Sequence, residues 1–541
     1  MPVAAQNPEE RPPFPWRWFA ATLGIVFLRA LPNLRFPIGR DQATCCVIAQ
    51  RMLEGLHLYR DLLDNRPPGI FFLYAPFVKL LGPVMWVAGM ADILVVLVVS
   101  GLLLRFAHRH LGTPVTVIGT VAAASFHCSA GYINAAQPDG LLLVFIFAAC
   151  ALLALDRSAI GLHTFAAGAM LAAAFWVKYN AVAFFPWVAI VAYLDWSALD
   201  GARPRLAFRV AARDLWVRVF MLAAGFAALS ALVLASFALS GSWAAFRESQ
   251  LDVLLRYGAT SFGQHAHGTW AVSELYLYVG PWNYAAVALA LFVAWREREL
   301  GRVLPVVLAF LSGMAAILLP GKLHSYYVEM LFPFYGLCWG YIAVKGFRVF
   351  QFAQAYLARR SFHLARALSW VVLVNLAFGL VFSEGLRVVA DFQYFSAWAR
   401  NPRASYPDYF PQHSLDKFAD QLKVIDFLRT HSAAGDQAFV WGTAPLINFL
   451  SERHSPVRFV SNLGLVSPWG PEHWRTDLVR DLDARAPLFI VVARRDAIPS
   501  VSQSYLDSEQ MLASYPALAG LISSRYEPAA RLRNFDIYRR K

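Results

Sequence analysis

Two carboxylates and several cations sit in short polar stretches between long apolar runs, and their types suit displacement at an anionic leaving group. The first acid is Asp41, in Gly39-Arg40-Asp41-Gln42-Ala43-Thr44. The second is Asp139, in Gln137-Pro138-Asp139-Gly140. Arg66 lies in Asp64-Asn65-Arg66-Pro67-Pro68-Gly69, and Lys178 in Trp176-Val177-Lys178-Tyr179-Asn180. His324, Tyr326, Tyr327 and Glu329 follow in Pro320-Gly321-Lys322-Leu323-His324-Ser325-Tyr326-Tyr327-Val328-Glu329. A carboxylate can take a proton from an attacking hydroxyl, and an arginine fork or a lysine can hold a developing phosphate charge. Two acids on one face could instead hold a divalent metal, or divide base and orienting roles.

Each residue also has a plainer reading. Asp41 could be the N-cap of an interfacial helix whose apolar face is Cys45, Ala49, Met52 and Leu56, ended by Gly55. Asp139 could be an acid placed at a helix start by the macrodipole. Arg66 and Lys178 could snorkel, Tyr326 and Tyr327 could belong to an aromatic belt, and His324 could be a surface histidine. Glu329 resists such a reading, because a carboxylate one turn into an apolar span is costly and normally faces a cavity.

The elements that must position these residues are membrane helices. The 541 residues are 58% hydrophobic and only 15% charged, with a mean hydropathy of +0.46, whereas soluble domains carry about 25% charged residues. Runs near the roughly 20 residues needed to span occur at 16–34, 84–104, 113–131, 138–155, 159–177, 181–198, 217–240, 272–295, 303–320, 325–345 and 367–384, about eleven in all. The 69–81 run is shorter and reads as a half-embedded helix stopped by Gly82-Pro83. The first span follows Arg11 and Arg17 without a small-residue cleavage site and reads as an uncleaved signal anchor.

With the N-terminus in the cytoplasm, the inner loops hold Arg105, Arg109, Arg157, Arg203, Arg205, Arg209, Arg213, Arg218, Arg296, Arg298, Arg302, Lys345, Arg348, Arg359, Arg360 and Arg366. The short outer loops hold Lys178, Arg247, Arg256 and Lys322. This asymmetry follows the positive-inside rule, and it accounts for the net charge of +13 without nucleic acid as a partner. The first outer loop, 35–68, departs from it with Arg35, Arg40, Arg51, Arg60 and Arg66. An outward-facing basic site suits an anionic substrate. The five cysteines form no zinc spacing, and the adjacent Cys45 and Cys46 make an internal disulfide unfavourable.

The chain divides into a membrane module (1–384), a linker (385–414) and a C-terminal α/β domain (415–541) that this topology places outside. The expected elements of the last are helices at 415–429, 446–452, 472–484 and 505–513. Strands are expected at 437–441, 457–461, 488–493, 523–527 and 534–538, in a partly parallel sheet. No phosphate-binding glycine pattern or nucleophile elbow occurs in it. It could pack over the site or bind an acceptor.

Taken in order, these stretches resemble the polytopic GT-C glycosyltransferases, in the bacterial aminoarabinose-transferase-like and protein-mannosyltransferase-like branch. The likeness rests on Asp41, on Gly55 and Tyr59 in Glu54-Gly55-Leu56-His57-Leu58-Tyr59, and on Asn65-Arg66-Pro67-Pro68-Gly69. Pro138-Asp139, Trp176-Val177-Lys178, Tyr326/Tyr327 with Pro333, and the α/β tail complete it. The resemblance implies an all-α membrane fold, a polyprenyl-phosphate sugar donor, and a lipid, glycan or protein acceptor on the outer face of the bacterial inner membrane. It implies Asp41 as base and Asp139 as the second acid. Arg66, Lys178, His324, Tyr327 and Glu329 would line the substrate site, with inversion at the anomeric carbon. Two other classes compete. A transporter or lipid-linked-sugar flippase would carry its charges along a midplane path and often show an inverted repeat; here they collect at one side and no repeat is visible. A membrane scaffold would need an interaction motif in the tail, and none is evident.

Overall fold

The computed structural model describes residues 15–155, 161–200, 205–208, 212–264, 279–321, 323–377, 385–402 and 416–541. Arg157, Arg203, Arg209 and Lys322, the start of the 272–295 run, the end of the 367–384 run and all of 403–415 lie outside these residues. Every apolar run anticipated from the sequence contains helix. Among the described residues, Val87–Leu111, Asp214–Leu239, Leu300–Leu318 and Ser325–Arg360 are long and apolar enough to cross a membrane. Trp16–Arg35 and Arg40–Leu53 pass the same test together but meet at 87°. Gly69–Leu81, Pro138–Leu153, Leu162–Val177 and Tyr179–Tyr193 are shorter apolar helices.

The 87° bend has a local cause. Pro37 lacks an N–H, and it holds Phe36 in the extended region (ψ 131°), so the first helix cannot continue. The chain restarts at Arg40 and runs helically to Leu53, where Gly55 in the left-handed region (φ +93°) turns it away. Residues Gln42 to Ala49 of this helix are all buried. It is therefore packed on every side, rather than lying amphipathically at an interface as its sequence pattern predicts.

The packing partner on one side is the C-terminal domain. Its strands β1 (Ala438–Trp441), β2 (Phe489–Ala493), β3 (Tyr526–Arg531) and β4 (Phe535–Arg540) form one mixed sheet in the order β1-β2-β4-β3. The β1–β2 pair is parallel and the other two pairs are antiparallel. Alternation sends Phe439, Trp441, Ile490 and Val492 to one face, against Leu478 and Leu482 of the His473–Arg485 helix. Val440, Phe489, Val491 and Ile537 go to the other, against Val424 and Leu428 of the Phe418–His431 helix. Two expectations are corrected. Residues 457–461 form no strand; Phe459 makes a single bridge to Leu63, and Leu63 N donates to Arg458 O at 2.8 Å. Residues 523–525 belong to the Pro516–Arg525 helix, so the strand starts at Tyr526.

The domain is fastened to the 35–68 loop and its surroundings. Arg40 pairs with Asp416 at 3.1 Å, and Tyr132 donates to the same carboxylate at 2.9 Å. Glu248 accepts from Trp474 Nε1 at 2.9 Å and lies 2.9 Å from His473. Upstream of the domain, the Leu386–Arg400 helix docks on the first helix through Asp391, which takes Arg29 at 3.0 Å and Arg35 at 2.6 Å. The end of the bundle that carries Asp41 is thus roofed by the α/β domain.

Candidate active site

Local chain chemistry shapes the 64–66 turn. The Asp64 carboxylate accepts the Arg66 backbone N–H and its Nη1, both at 2.8 Å, so the turn closes on itself. Tyr59, buried against Phe237 and Phe246, donates its hydroxyl to Arg66 O at 2.8 Å. Thus aimed, the Arg66 fork reaches Asp41 Oδ1 at 2.5 Å. Burial works against the charge on Arg66, but Asp64 and Asp41 outweigh it and raise its pKa well above the ordinary value. Burial also lifts the Asp64 carboxyl above its usual range, against the pull of Arg66. Asp41 is not the helix N-cap; Gly39 holds that position, and no side chain caps the helix. Asp41 sits in the first turn with its carboxylate turned to Arg66.

Lys178 is held by Asp139 through both carboxylate oxygens, at 2.8 and 2.7 Å. Asp139 is fully buried in the first turn of the Pro138–Leu153 helix. The ammonium also lies 3.6 Å from the centre of the Tyr327 ring and 5.7 Å from that of Tyr326. His324 stacks on Tyr326, with centroids 5.3 Å apart and planes 8° from parallel, and meets Tyr327 edge-on. Glu329 is 1% exposed and lies beside the Gly140 backbone, and among the described residues neither of its oxygens has a side-chain hydrogen-bond partner. It lines a narrow cavity with His127, Gly140 and Pro333.

These two clusters meet through a backbone contact. Gly69, which opens the helix after Arg66, touches the Trp176–Val177 peptide just before Lys178; a Cβ there would lie 2.6 Å from Trp176 O. Only glycine permits this approach. The charge of Asp41 is accordingly felt at Asp139, at Lys178 and at Tyr326, and that of Glu329 at Lys178. All seven residues singled out from the sequence, Asp41, Arg66, Asp139, Lys178, His324, Tyr327 and Glu329, therefore gather at one end of the bundle.

Four further residues belong here. Asp64 shapes Arg66 as described. Tyr257, on the Leu254–Gln264 helix, stands within electrostatic reach of Asp41, Arg66 and Asp64, and packs edge-on against Trp469 of the α/β domain. Gln42 and Asp92 tie the segment before Asp139. Asp92 was detectable, being a carboxylate inside an apolar span; Tyr257 carries no comparable signal. Cys45 lies beneath the site, but burial pushes its thiol up to about 12, which removes it as a nucleophile. Among the described residues no three His, Cys, Asp or Glu side chains gather to hold a metal ion. Asp41 and Asp139 are each paired with a cation, Arg66 and Lys178, so the two acids do not fit together as ligands of a divalent metal.

Residues 65–224 match the sequence family described as dolichyl-phosphate-mannose-protein mannosyltransferase. No curated protein matches the chain in sequence. Among solved structures, ArnT from Cupriavidus metallidurans bound to undecaprenyl phosphate superposes over 96% of this chain and 97% of its own, with TM-score 0.54 and 14% identity. Its apo form gives TM-score 0.56 over 96% of each chain, also at 14% identity. The chain shares the fold of these ArnT structures. The archaeal oligosaccharyltransferase AglB from Archaeoglobus fulgidus, in complex with an inhibitory peptide and a dolichol-phosphate, is more distant, at TM-score 0.41 and 12% identity over 89% of this chain and 70% of that one. The matched segment includes Arg66, Asp139 and Lys178. Asp41, His324, Tyr327 and Glu329 lie outside it and join the site through the fold.

Proposed function

We propose that the chain is a membrane glycosyltransferase that moves a sugar from a polyprenyl-phosphate donor to a lipid, glycan or protein acceptor at the outer face of a bacterial inner membrane. The observation that carries this reading is the convergence of one partly exposed carboxylate, Asp41 (29% exposed), with two cations, Arg66 and Lys178, beneath a roofing domain. The arginine distribution supports a cytoplasmic N-terminus and an outward site. Undecaprenyl phosphate bound to ArnT, which shares the fold, supports the lipid class of the donor.

In this reaction the acceptor hydroxyl gives its proton to Asp41, and its oxygen attacks the anomeric carbon from the face opposite the phosphate. The bond from that carbon to the phosphate oxygen breaks, and the polyprenyl phosphate leaves with the electron pair. Arg66 and Lys178 receive the growing charge. One displacement inverts the anomeric centre. His324, stacked beside Tyr326, and Tyr327, beneath the Lys178 ammonium, would border the phosphate. Glu329, whose oxygens have no side-chain partner among the described residues, would accept hydrogen bonds from the sugar or the acceptor.

The test is incubation of the purified full-length protein with polyprenyl-phosphate sugars and candidate acceptors. Release of polyprenyl phosphate together with a product heavier by one sugar is the expected result. Movement of the lipid-linked sugar across a vesicle bilayer without transfer would instead establish a flippase.

A further inference from the structure

Asp41 and Asp139 are about a hundred positions apart in the chain, so something must fix their separation. The segment between them that could drift is the connector 131–137, which leads straight into Asp139. It contains only one short turn, Tyr132–Asn134; Gln137 Nε2 donates back to Ile133 O at 2.7 Å, and side chains from other helices hold Tyr132, Ile133, Ala135 and Ala136. Gln42, the residue after Asp41 and 3% exposed, directs Nε2 at three carbonyls: Tyr132 O at 3.0 Å, Ile133 O at 3.2 Å and Ala135 O at 2.9 Å. An amide NH₂ has two hydrogens, so three acceptors share them. Gly39 makes room for this amide, since a Cβ there would lie 2.7 Å from Gln42 Oε1.

The next residue is strained. Ala136 has φ +52°, a left-handed conformation that alanine seldom adopts. Both of its peptide groups are gripped. Its N–H donates to Asp92 Oδ1 at 2.8 Å, and its C=O accepts from the Tyr74 hydroxyl at 3.0 Å. Asp92, fully buried, is itself held by His127 at 2.8 Å and by Asn33 at 2.9 Å. Three residues beyond this point stands Asp139.

We infer that Gln42, Tyr74 and Asp92 form a clamp that holds the strained 131–137 connector and thereby sets the position of Asp139, with its Lys178, relative to Asp41. They are positioning residues, which act through Asp139. Gln42 couples the two acids directly, because it shares the first turns of its helix with Asp41. The inference rests on the transferase reading for its kinetic consequence, but not for its structural one.

The experiment uses purified full-length Y74F, Q42E and Y74F/A136G. Tyr74→Phe removes one hydroxyl, Gln42→Glu replaces the donor with an acceptor at equal size, and Ala136→Gly removes the steric reason for the grip. In Y74F and Q42E, kcat should fall about tenfold or more while KM for the lipid donor moves less than about twofold, since a displacement near 1 Å can cost about 10²-fold in rate. Amide hydrogens of residues 132–139 should exchange faster. Y74F/A136G should recover most of the lost kcat. Unchanged kcat and exchange in Y74F and Q42E overturn the clamp, as does a double variant no better than Y74F. A wild-type protein inactive on every polyprenyl-phosphate sugar sinks the transferase reading. The exchange rates then decide the clamp by themselves.

Discussion

Replacing Asp41 with asparagine is expected to abolish sugar transfer, with a rate loss of about 10²–10⁴-fold or more, the range that positioned proton transfer supplies. Asparagine keeps the shape of the side chain and an oxygen that can accept from Arg66, but it cannot take up a proton. Arg66 retains Asp64 at 2.8 Å, so the loop should keep its turn. The Asp41–Arg66 pair is partly exposed, at 29% and 24%, and such pairs contribute at most about 1 kcal/mol. Membrane insertion, yield and thermal unfolding should therefore match the parent protein. Transfer assays on matched amounts of D41N and wild type provide the measurement, and full activity in D41N would remove Asp41 from the mechanism.

Replacing Lys178 with methionine should damage both activity and stability. The substitution leaves Asp139 fully buried without its cation, and breaking a buried pair typically costs about 3–5 kcal/mol. It also removes one of the two charges proposed to meet the leaving phosphate. The double variant K178M/D139N separates these effects, because it restores electrical balance without restoring the phosphate contact. Thermal unfolding in detergent should show a large drop for K178M and a partial return for the double variant, with transfer lost in both. A single variant as stable as wild type would mean that Asp139 does not depend on Lys178, and retained transfer would exclude Lys178 from binding the donor.

The parts of this molecule that were legible from sequence are those governed by length and sidedness. Apolar runs near 20 residues announce helices because a bilayer permits little else. The site residues share an end of the bundle because loop charge reports which ends lie together. What was hidden depends on tertiary contact. The 457–461 stretch has a strand's composition, yet its partner is Leu63 in a distant loop, so it makes one bridge and stops. Residues 40–53 look amphipathic, yet the α/β domain covers their polar side. A glutamine beside a conspicuous aspartate, as Gln42 is, carries no signal of its own. Its importance lies in three carbonyls some ninety residues away.

The guanidinium that joins Asp41 to Asp64 has a kinetic corollary. While Arg66 is bonded to Asp41 Oδ1, that oxygen is occupied and cannot receive the acceptor's hydroxyl hydrogen. An incoming lipid phosphate competes for the same fork and, on winning it, frees the base. On the proposed reaction this imposes a sequence of arrivals, lipid-linked sugar before acceptor, which initial-rate measurements with both substrates varied would display as a compulsory-order pattern.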